Sequence, residues 1–428
     1  MINSSRILTL LLIFVLVIQL VACAEPGNRN SAGTEQSKSA ENKVLMLSNG
    51  DDKIREAAIS LTDEHINTPI DFAFSLLKSS NDISGNELLS PLSVIIALGL
   101  VANGASGETL KEIETMLGMS LEELNEFSNS LSQSLKNTDN AFLVSANSAW
   151  LSSDPRLTVK ESFIDAIGKY YGAGIYSVDF TDNATLGEIN AWVNKNTDGM
   201  IDKLLDKLDT ETLAMLINAL TFDAAWSTTF SSDNTKTGYF TNSDGSKSEV
   251  KMMRSSERLS YISGSGCTGF VKPYLGGNYS YVALLPDSGD IDAFIKSLDG
   301  MTFLSLIDSG TKETVNVTMP KYSLDYSLSL KDILSRLGMS RAFSQNADFS
   351  ALGSFTGGNI FISKSLQKTH ITVDESGTRA AAVTAFTLAP ASAPADPKNV
   401  TLDRPFVYAI IDNETNFPVF LGVVGNLS

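Results

Sequence analysis

The sequence predicts one large α+β domain with large, mostly antiparallel sheets. Its composition is that of a globular protein, with 428 residues of which 43% are hydrophobic and 19% charged. The first third of the domain has helical periodicity, whereas later segments alternate apolar and polar residues with a period of two. No second linker interrupts the chain after about Thr68. Helices followed by many strands in one uninterrupted unit indicate the α+β class.

The predicted helices come first along the chain. The segment "SPLSVIIALGLVANGA" begins with Ser90 and Pro91, a capping residue followed by proline in the first helical turn. Because it is apolar on nearly every side, we expect this helix to be buried. "DFAFSLLKSS", "TLKEIETMLG" and "SLEELNEFSNSLSQSL" are amphipathic, and Gly118 ends the second of these three. The strands follow as "YSYVALLP", "ETVNVTMPKYSL", "IFISKSLQKTHITVD" and "FVYAIID".

The N-terminus has the layout of an export signal. Residues 1–22 contain Arg6 followed by an unbroken apolar run from Ile7 to Ile18, and small residues precede Cys23. The end of the segment, "LVAC", resembles a prokaryotic lipobox, which implies cleavage before Cys23 and acylation of its thiol. We therefore expect residues 1–22 to lie outside the folded core and the mature chain to be lipid-anchored to the outer face of the cell membrane. The alternatives are a plain secretory signal, which would give a secreted protein, and an uncleaved anchor.

A spacer and a domain follow this segment. Residues 23–66 are rich in Ser, Asn, Gly and charge, which is typical of a flexible linker. The cluster "VLML" at 44–47 is too small to form a core of its own. We predict the folded domain at 67–428.

Charge and cysteine content exclude several partners. The formal charge is −17, and removal of residues 1–22, with Arg6 and no acid, takes it to −18. Such an acidic chain is a poor ligand for nucleic acid or an anionic lipid surface. The chain has two cysteines. If Cys23 carries lipid, Cys267 has no disulfide partner and is expected to be a small buried residue.

The sequence argues against an enzyme. It contains two histidines, His65 and His370, and one of them would have to serve any Ser–His–Asp or Cys–His site. It has no G-x-S-x-G elbow, no H-E-x-x-H, no phosphate-binding loop and no Cys/His metal spacing. We expect no catalytic residues, no metal and no cofactor.

The segment "DESGTRAAAVTAFTLAPASAPADP" at 374–397 has a split character. Its first half is small and β-prone, and its prolines begin only at Pro390. If residues 378–389 form a strand, one face has no charged residue and its side chains become larger toward the end of the strand. The residues on this face are Thr378, Ala380, Ala382, Thr384, Phe386 and Leu388. The other face of residues 378–389 carries the single charge of that stretch, Arg379. The second half, with its repeated prolines, favours exposed, extended backbone. The segment is therefore suited both to insertion into a sheet and to display.

At this segment the chain resembles the serpin family. "VDESGTRAAAVTA" is similar to the hinge of their reactive-centre loop. The resemblance covers about residues 68–428 and includes these further motifs, in order: "NELLSPLSVIIALGLVANGASGETLKEIETMLG", "INAWVNKNTDGMI", "LINALTFDAAWSTTF", "VTMPKYSL", "ADFSAL" and "DRPFVYAIIDNETNFPVFLGVVGN". It implies the serpin fold, with an exposed reactive-centre loop at about 375–398. It also implies suicide inhibition, in which a serine protease cuts the loop and is trapped as an acyl-enzyme when the loop inserts into a sheet.

Family spacing implies the scissile bond. Sixteen residues on from Glu375 is Ala391, with Ser392 after the cut. Small residues before the bond suit an elastase-like pocket. The alternative bond is Leu388–Ala389, for a chymotrypsin-like protease, and a subtilisin-like protease is a further candidate partner. Another reading is a non-inhibitory serpin that acts as a binding module and is cut as a substrate, but such proteins carry Pro, charged or bulky hinge residues. The chain is expected to be a monomer.

The resemblance also implies three groups of site residues. The hinge comprises Glu375, Gly377, Thr378, Ala380, Ala381, Ala382 and Thr384; the shutter comprises Ser90, Ser93, Asn218 and Gln367; the breach comprises Trp226, Lys321 and Glu375. Three features depart from the family pattern. Gln367 replaces the usual shutter histidine, Arg379 replaces a commonly acidic residue, and the segment from Ser392 to Pro405 is a few residues longer.

Overall fold

The structure is a computed structural model of the chain. It describes residues 12–23, 44–49, 54–57, 59–80, 85–135, 141–197, 199, 201, 203–378 and 396–428.

The helices of the described chain are concentrated in its first half. They are α1 Asp63–Lys78, α2 Pro91–Gly104, α3 Gly107–Leu117, α4 Leu121–Ser134, α5 Glu161–Tyr171, α6 Asn183–Asn196, α7 Ile291–Ser297, α8 Gly300–Asp308 and α9 Leu330–Arg336. Short 3₁₀ turns occur at Ser232–Asn234 and Arg341–Phe343. None of the described helices is both long and apolar enough to cross a membrane.

The strands extend along the whole described chain. They are β1 Leu12–Cys23, β2 Leu45–Ser48, β3 Glu87–Leu89, β4 Ala141–Ser152, β5 Leu157–Val159, β6 Gly174–Val178, β7 Thr212–Ala225, β8 Lys236–Thr241, β9 Lys247–Gly264, β10 Cys267–Pro273, β11 Tyr279–Pro286, β12 Thr311–Pro320, β13 Tyr322–Ser329, β14 Gly353–Phe355, β15 Asn359–Val373, β16 Gly377–Thr378, β17 Lys398–Thr401, β18 Phe406–Asp412 and β19 Pro418–Val424.

Two large sheets organise these strands. The first sheet has the order β13-β15-β1-β7-β4-β6-β2, and β16 pairs with the end of β7. The second has the order β17-β12-β9-β10-β11-β18-β19-β3, with β8 paired to β9. Antiparallel pairs dominate both, and β4–β6 and β12–β17 are the parallel ones among the described strands. The predicted α+β class is confirmed.

Helix α2 lies within the core, as its uniformly apolar sequence predicts. All its residues are buried, and it contacts β7 and β1 of the first sheet and β19 of the second. Helix α6 packs on the opposite face of the first sheet, where Ile189 and Val193 join a separate apolar cluster with Val17, Trp150 and Ile217. The first sheet is therefore covered on both faces.

Residues 12–23 of the N-terminal apolar segment form β1, an internal strand of the first sheet. We expected residues 1–22 to lie outside the core, and for the described residues 12–22, in the chain that still carries them, this expectation is wrong. Leu16, Ile18 and Leu20 are buried in the main core beside α2. The reason is physical: an unbroken apolar run suits a strand covered on both faces as well as it suits an export signal. Cleavage before Cys23 stays a prediction.

Part of the predicted linker is packed on the domain. Strand β2 pairs with the edge strand β6 through Leu45 and Met46. Further on, Arg55 forms an ion pair with Glu126 of α4 at 2.5 Å, and its backbone N–H donates to Lys169 O. The predicted linker is therefore packed against the domain at residues 44–49 and 54–57, where "VLML" pairs with an open sheet edge.

Candidate loop-insertion site

The first sheet contains a slot between β7 and β15, and β1 occupies it. Strand β1 is antiparallel to both neighbours, with Leu16 opposite Asn218 on one side and Gln367 on the other. Just beyond the start of β1, the short strand β16 pairs Gly377 with Ala225 and Thr378 with Ala224. The hinge therefore enters the sheet at the mouth of this slot.

Backbone contacts hold the hinge in place. Trp226 N donates to Ser376 O, and Phe230 N donates to Glu375 O, both at 2.9 Å. Gly377 is required by close approach, since a Cβ there would lie 2.2 Å from the carbonyl oxygen of Ala224. The Thr378 hydroxyl is within 2.5 Å of the Tyr274 hydroxyl in the core. The first residues of the hinge thus already lie in the register of an inserted strand.

Glu375 is anchored from two sides. Lys321 Nζ donates to its Oε2 at 2.9 Å and Thr235 Oγ1 donates to its Oε1 at 3.0 Å. The Lys321 side chain is 44% exposed and that of Glu375 20%. Desolvation of the Glu375 carboxyl raises its pKa, but the hydrogen bonds from Lys321 and Thr235 outweigh it, so the pKa lies below its ordinary value. The carboxylate is held ionised.

Trp226 lies directly beneath the hinge. Its indole Nε1 donates to Asp374 O at 2.9 Å, and its ring stacks on Tyr274 with centroids 4.6 Å apart. The side chain is buried. Trp226 therefore ties the residue before Glu375 to the core below.

The breach contains a buried cation that the sequence analysis did not single out. Lys272 is 0% exposed, and its Nζ donates to Glu257 Oε1 at 2.5 Å and to Thr228 O at 2.7 Å. The ammonium lies 4.7 Å from the ring centroid of Phe230 and 5.4 Å from that of Trp226. Burial lowers the pKa of Lys272. The signal in the sequence was a lone lysine within the apolar strand "CTGFVKP".

The shutter residues meet beneath the middle of the slot. Ser90 caps α2 by accepting from Ser93 N, and its hydroxyl donates to Val419 O at 2.9 Å. The Ser93 hydroxyl donates to Asn218 Oδ1. Asn218 Nδ2 donates to Asn147 Oδ1 at 2.8 Å and to Ser145 Oγ at 3.2 Å. A connected polar network thus joins α2 to β7 and β4.

Gln367 is not part of this network. It is 0% exposed, and neither amide atom has a hydrogen-bond partner among the described residues. Cross-strand partners place their side chains on the same face of a sheet. Leu16, opposite both Gln367 and Asn218, therefore separates the two polar side chains.

The structure brings together one histidine cluster that sequence reasoning missed. His370 Nδ1 is 2.7 Å from Asp325 Oδ1, and Ser323 Oγ is 3.5 Å from Nε2. The Nε2 atom is closer, at 3.1 Å, to Thr372 Oγ1, and the Asp325 side chain is 90% exposed. A hydrolytic triad needs a buried carboxylate and a close nucleophile–base hydrogen bond. This cross-strand cluster supplies neither.

Cys267 is buried, as its solitary position in the sequence predicts. It is a free thiol whose Sγ lies 3.3 Å from Gly264 O. Burial raises its pKa to about 12, so the thiol stays protonated and unreactive.

Several predicted site residues fall outside the described part of the chain. These are the reactive bond and the later hinge positions: Ala391, Ser392, Ala380, Ala381, Ala382 and Thr384. Arg379 also lies outside the described residues. Cys23 is the last residue of β1, but its side chain is not among those described.

Comparison with known proteins identifies the family. A family model described as "Serpin (serine protease inhibitor)" matches residues 67–427. The chain belongs to the serpin family. Its resemblance to serpins is thereby confirmed, and serpins are in general inhibitors of serine proteases rather than catalysts.

Relatives and solved structures agree with this assignment. The chain is similar to the native-state crystal structure of the thermophilic serpin tengpin, with a TM-score of 0.82 and 38% identity over 90% of this chain and 100% of that one. It is 31% identical to Iripin-5 of Ixodes ricinus, covering 83% of this chain and 93% of that protein. It is 28% identical to the human plasma serine protease inhibitor, covering 86% and 93%.

Proposed function

We propose that this serpin is a suicide inhibitor that traps a serine protease as an acyl-enzyme by inserting its cleaved loop into the first sheet. The observation that carries the proposal is the hinge strand β16, which pairs with β7 at the mouth of the slot. Each further residue inserted in this register would pair with the next residue of β7, so Thr384 would lie opposite Asn218. The small hinge residues Ala380, Ala381 and Ala382 suit such insertion.

The faces of the inserted segment would match the two sides of the first sheet. In this register Thr384, Phe386 and Leu388 would face the core beside α2, where Leu16, Ile18 and Leu20 of β1 now lie. Arg379 would lie on the opposite face. A charged side chain on that face is not buried in the core, so Arg379, which replaces a commonly acidic residue of the family, is compatible with insertion.

The energy of insertion is sufficient for trapping. Burial of Phe386 and Leu388 is worth about 1.5–3 kcal/mol each, and some ten ladder hydrogen bonds about 0.5–1.5 kcal/mol each. The total is on the order of 10–20 kcal/mol. Slowing deacylation about a million-fold takes roughly 8 kcal/mol.

The target we propose is an elastase-like protease that cuts Ala391–Ser392. Ala and Pro before the bond fit a pocket that admits only short side chains, and Ala389–Pro390 and Ala393–Pro394 are poor bonds because proline follows the cut. We also propose that the chain is lipid-anchored through Cys23 on the outer face of the cell membrane and acts there as a monomer. The acidic charge leaves the lipid as its only membrane contact.

The test uses the chain that lacks residues 1–22, with Cys23→Ser to prevent acylation. It is mixed with a pancreatic-type elastase and followed by denaturing gels and mass spectrometry. A detergent-stable complex with release of a peptide that begins at Ser392 is expected. Cleavage at that bond without a complex would favour a non-inhibitory serpin. Cleavage at Leu388–Ala389 would reassign the target to a chymotrypsin-like protease.

A further inference from the structure

The slot has two competing occupants within this one chain. Strand β1 begins with Leu12 opposite Phe222, and the hinge strand ends with Thr378 opposite Ala224. Both run antiparallel to β7, and a single residue of β7 separates their positions. The hinge can therefore advance no further along β7 while β1 remains in the sheet.

In the observed registers, β1 and an inserted loop would pair with the same residues of β7. Leu16 pairs with Asn218, the residue that Thr384 would face after insertion. By the same count, Ile18 occupies the place of Phe386 and Leu20 that of Leu388. These three side chains of β1 are buried in the main core. Strand β1 thus places large apolar side chains at the positions that Phe386 and Leu388, the largest side chains on the loop's uncharged face, would take.

The opposite face matches as well. Val17, in the place of Ala385, packs in the cluster under α6. Gln19, in the place of Thr387, donates from Nε2 to Thr212 Oγ1 at 2.6 Å. A polar residue stands at the same ladder position in both segments.

One contact distinguishes the two occupants. Leu16 cannot form a side-chain hydrogen bond with the buried amide of Gln367, which has no partner among the described residues, or with the neighbouring Asn218. A threonine at this position carries a hydroxyl that can donate and accept. The centre of the slot is therefore better suited to Thr384 than to Leu16.

We propose that residues 12–22 act as an internal plug: while they remain attached they fill the loop-insertion slot and prevent trapping, and their removal before Cys23 opens it. The unprocessed chain is then cut by proteases as a substrate and inhibits none of them. Removal of residues 1–22 then activates the inhibitor. This inference rests on the proposed function, since it concerns the step at which the loop inserts.

The experiment compares the full chain, the chain lacking residues 1–22 and the full chain with Ile18→Asp. The substitution places a carboxylate in the core and should expel the plug. Leu45→Asp in the full chain is the control, because Leu45 is 56% exposed on β2. Each protein is titrated with the same elastase. The trapped fraction is expected to be at least about tenfold lower for the full chain and Leu45→Asp than for the truncated chain, with Ile18→Asp recovering much of the difference.

A second readout separates this inference from the proposed function. Cutting the loop should raise the thermal midpoint of the truncated chain, because a strand is added to its sheet, and leave that of the full chain unchanged. A rise in the midpoint of the truncated chain alone, without a trapped complex for either chain, would support the plug and overturn the inhibitor proposal. Equal trapping by the full and truncated chains, or an equal rise in midpoint, would overturn the plug. A synthetic peptide of residues 12–22 added to the truncated chain should abolish both the trapping and the rise.

Discussion

Replacement of Gln367 by Met should stabilise the full chain. The side chain is 0% exposed and neither of its amide atoms is hydrogen-bonded to a described residue. An unpaired buried polar group costs about 1–3 kcal/mol. Methionine has a similar length and no amide to desolvate, so the free energy of unfolding should rise by about that amount.

The control for this prediction lies two residues further along β15. Thr369 is also buried, but its hydroxyl can donate its one proton to Tyr326 O at 3.2 Å or to Leu88 O at 3.3 Å. Thr369→Val should therefore lower the free energy of unfolding by about 1 kcal/mol. Urea unfolding followed by tryptophan fluorescence gives both values. A loss of stability in Gln367→Met as large as in Thr369→Val would refute the reasoning.

Three further substitutions or conditions test the site. Asn218→Ala should lower the free energy of unfolding by about 1–3 kcal/mol in urea melts, because it leaves the buried Ser93 hydroxyl without its acceptor. Lys272→Met should lower the free energy of unfolding by about 3–5 kcal/mol by leaving the Glu257 carboxylate without its counter-charge, with the Ser255 hydroxyl as a remaining hydrogen-bond donor, and adding Glu257→Gln should restore part of the loss in the same melts. The pKa of Glu375 is lowered from 4.5, so the stability that its carboxylate contributes is present above pH 4.5 and is lost as the pH falls through the folded pKa. Thermal midpoints should therefore fall more steeply below pH 4.5 for the native chain than for Glu375→Gln, and parallel curves would contradict this.

Local patterns in the sequence predicted much of the fold. The alternating segments became β11, β15 and β18, and the helix that begins at Pro91 is buried as its apolar character requires. In "ETVNVTMPKYSL" one predicted strand became two, because β12 ends at Pro320 and β13 begins at Tyr322. Proline lacks the N–H that would continue a ladder.

The rest depended on long-range pairing that one sequence does not encode locally. The apolar segment that contains β1 is equally compatible with a signal peptide and with a strand inside a sheet. Its pairing with β7 and β15 is what places it in the sheet. The 18-residue strand β9 is rich in charge because much of it is exposed, so it gave no clear signal.

Some residues of the site were predicted from the sequence and others were missed, again because local patterns do not reveal long-range pairing. The family motifs led to Glu375, Lys321 and Trp226, which the structure places together at the mouth of the slot. Lys272 and Glu257 were missed, because their pairing joins β10 to β9 and neither residue belongs to a motif. The lack of a partner for Gln367 depends on the strand beside it, which no local pattern could reveal.

The central claim, trapping by loop insertion, is tested most directly by two loop variants of the chain lacking residues 1–22. Thr384→Arg places a charge on the face that must enter the core opposite Asn218, whereas Arg379→Gln removes a charge on the opposite face, where the register would place residue 379 opposite Asp223. Both are mixed with elastase, and the detergent-stable complex is measured alongside the Ser392 peptide. Trapping by insertion predicts cleavage without a complex for Thr384→Arg and a normal complex for Arg379→Gln. A stable complex formed by Thr384→Arg would contradict it.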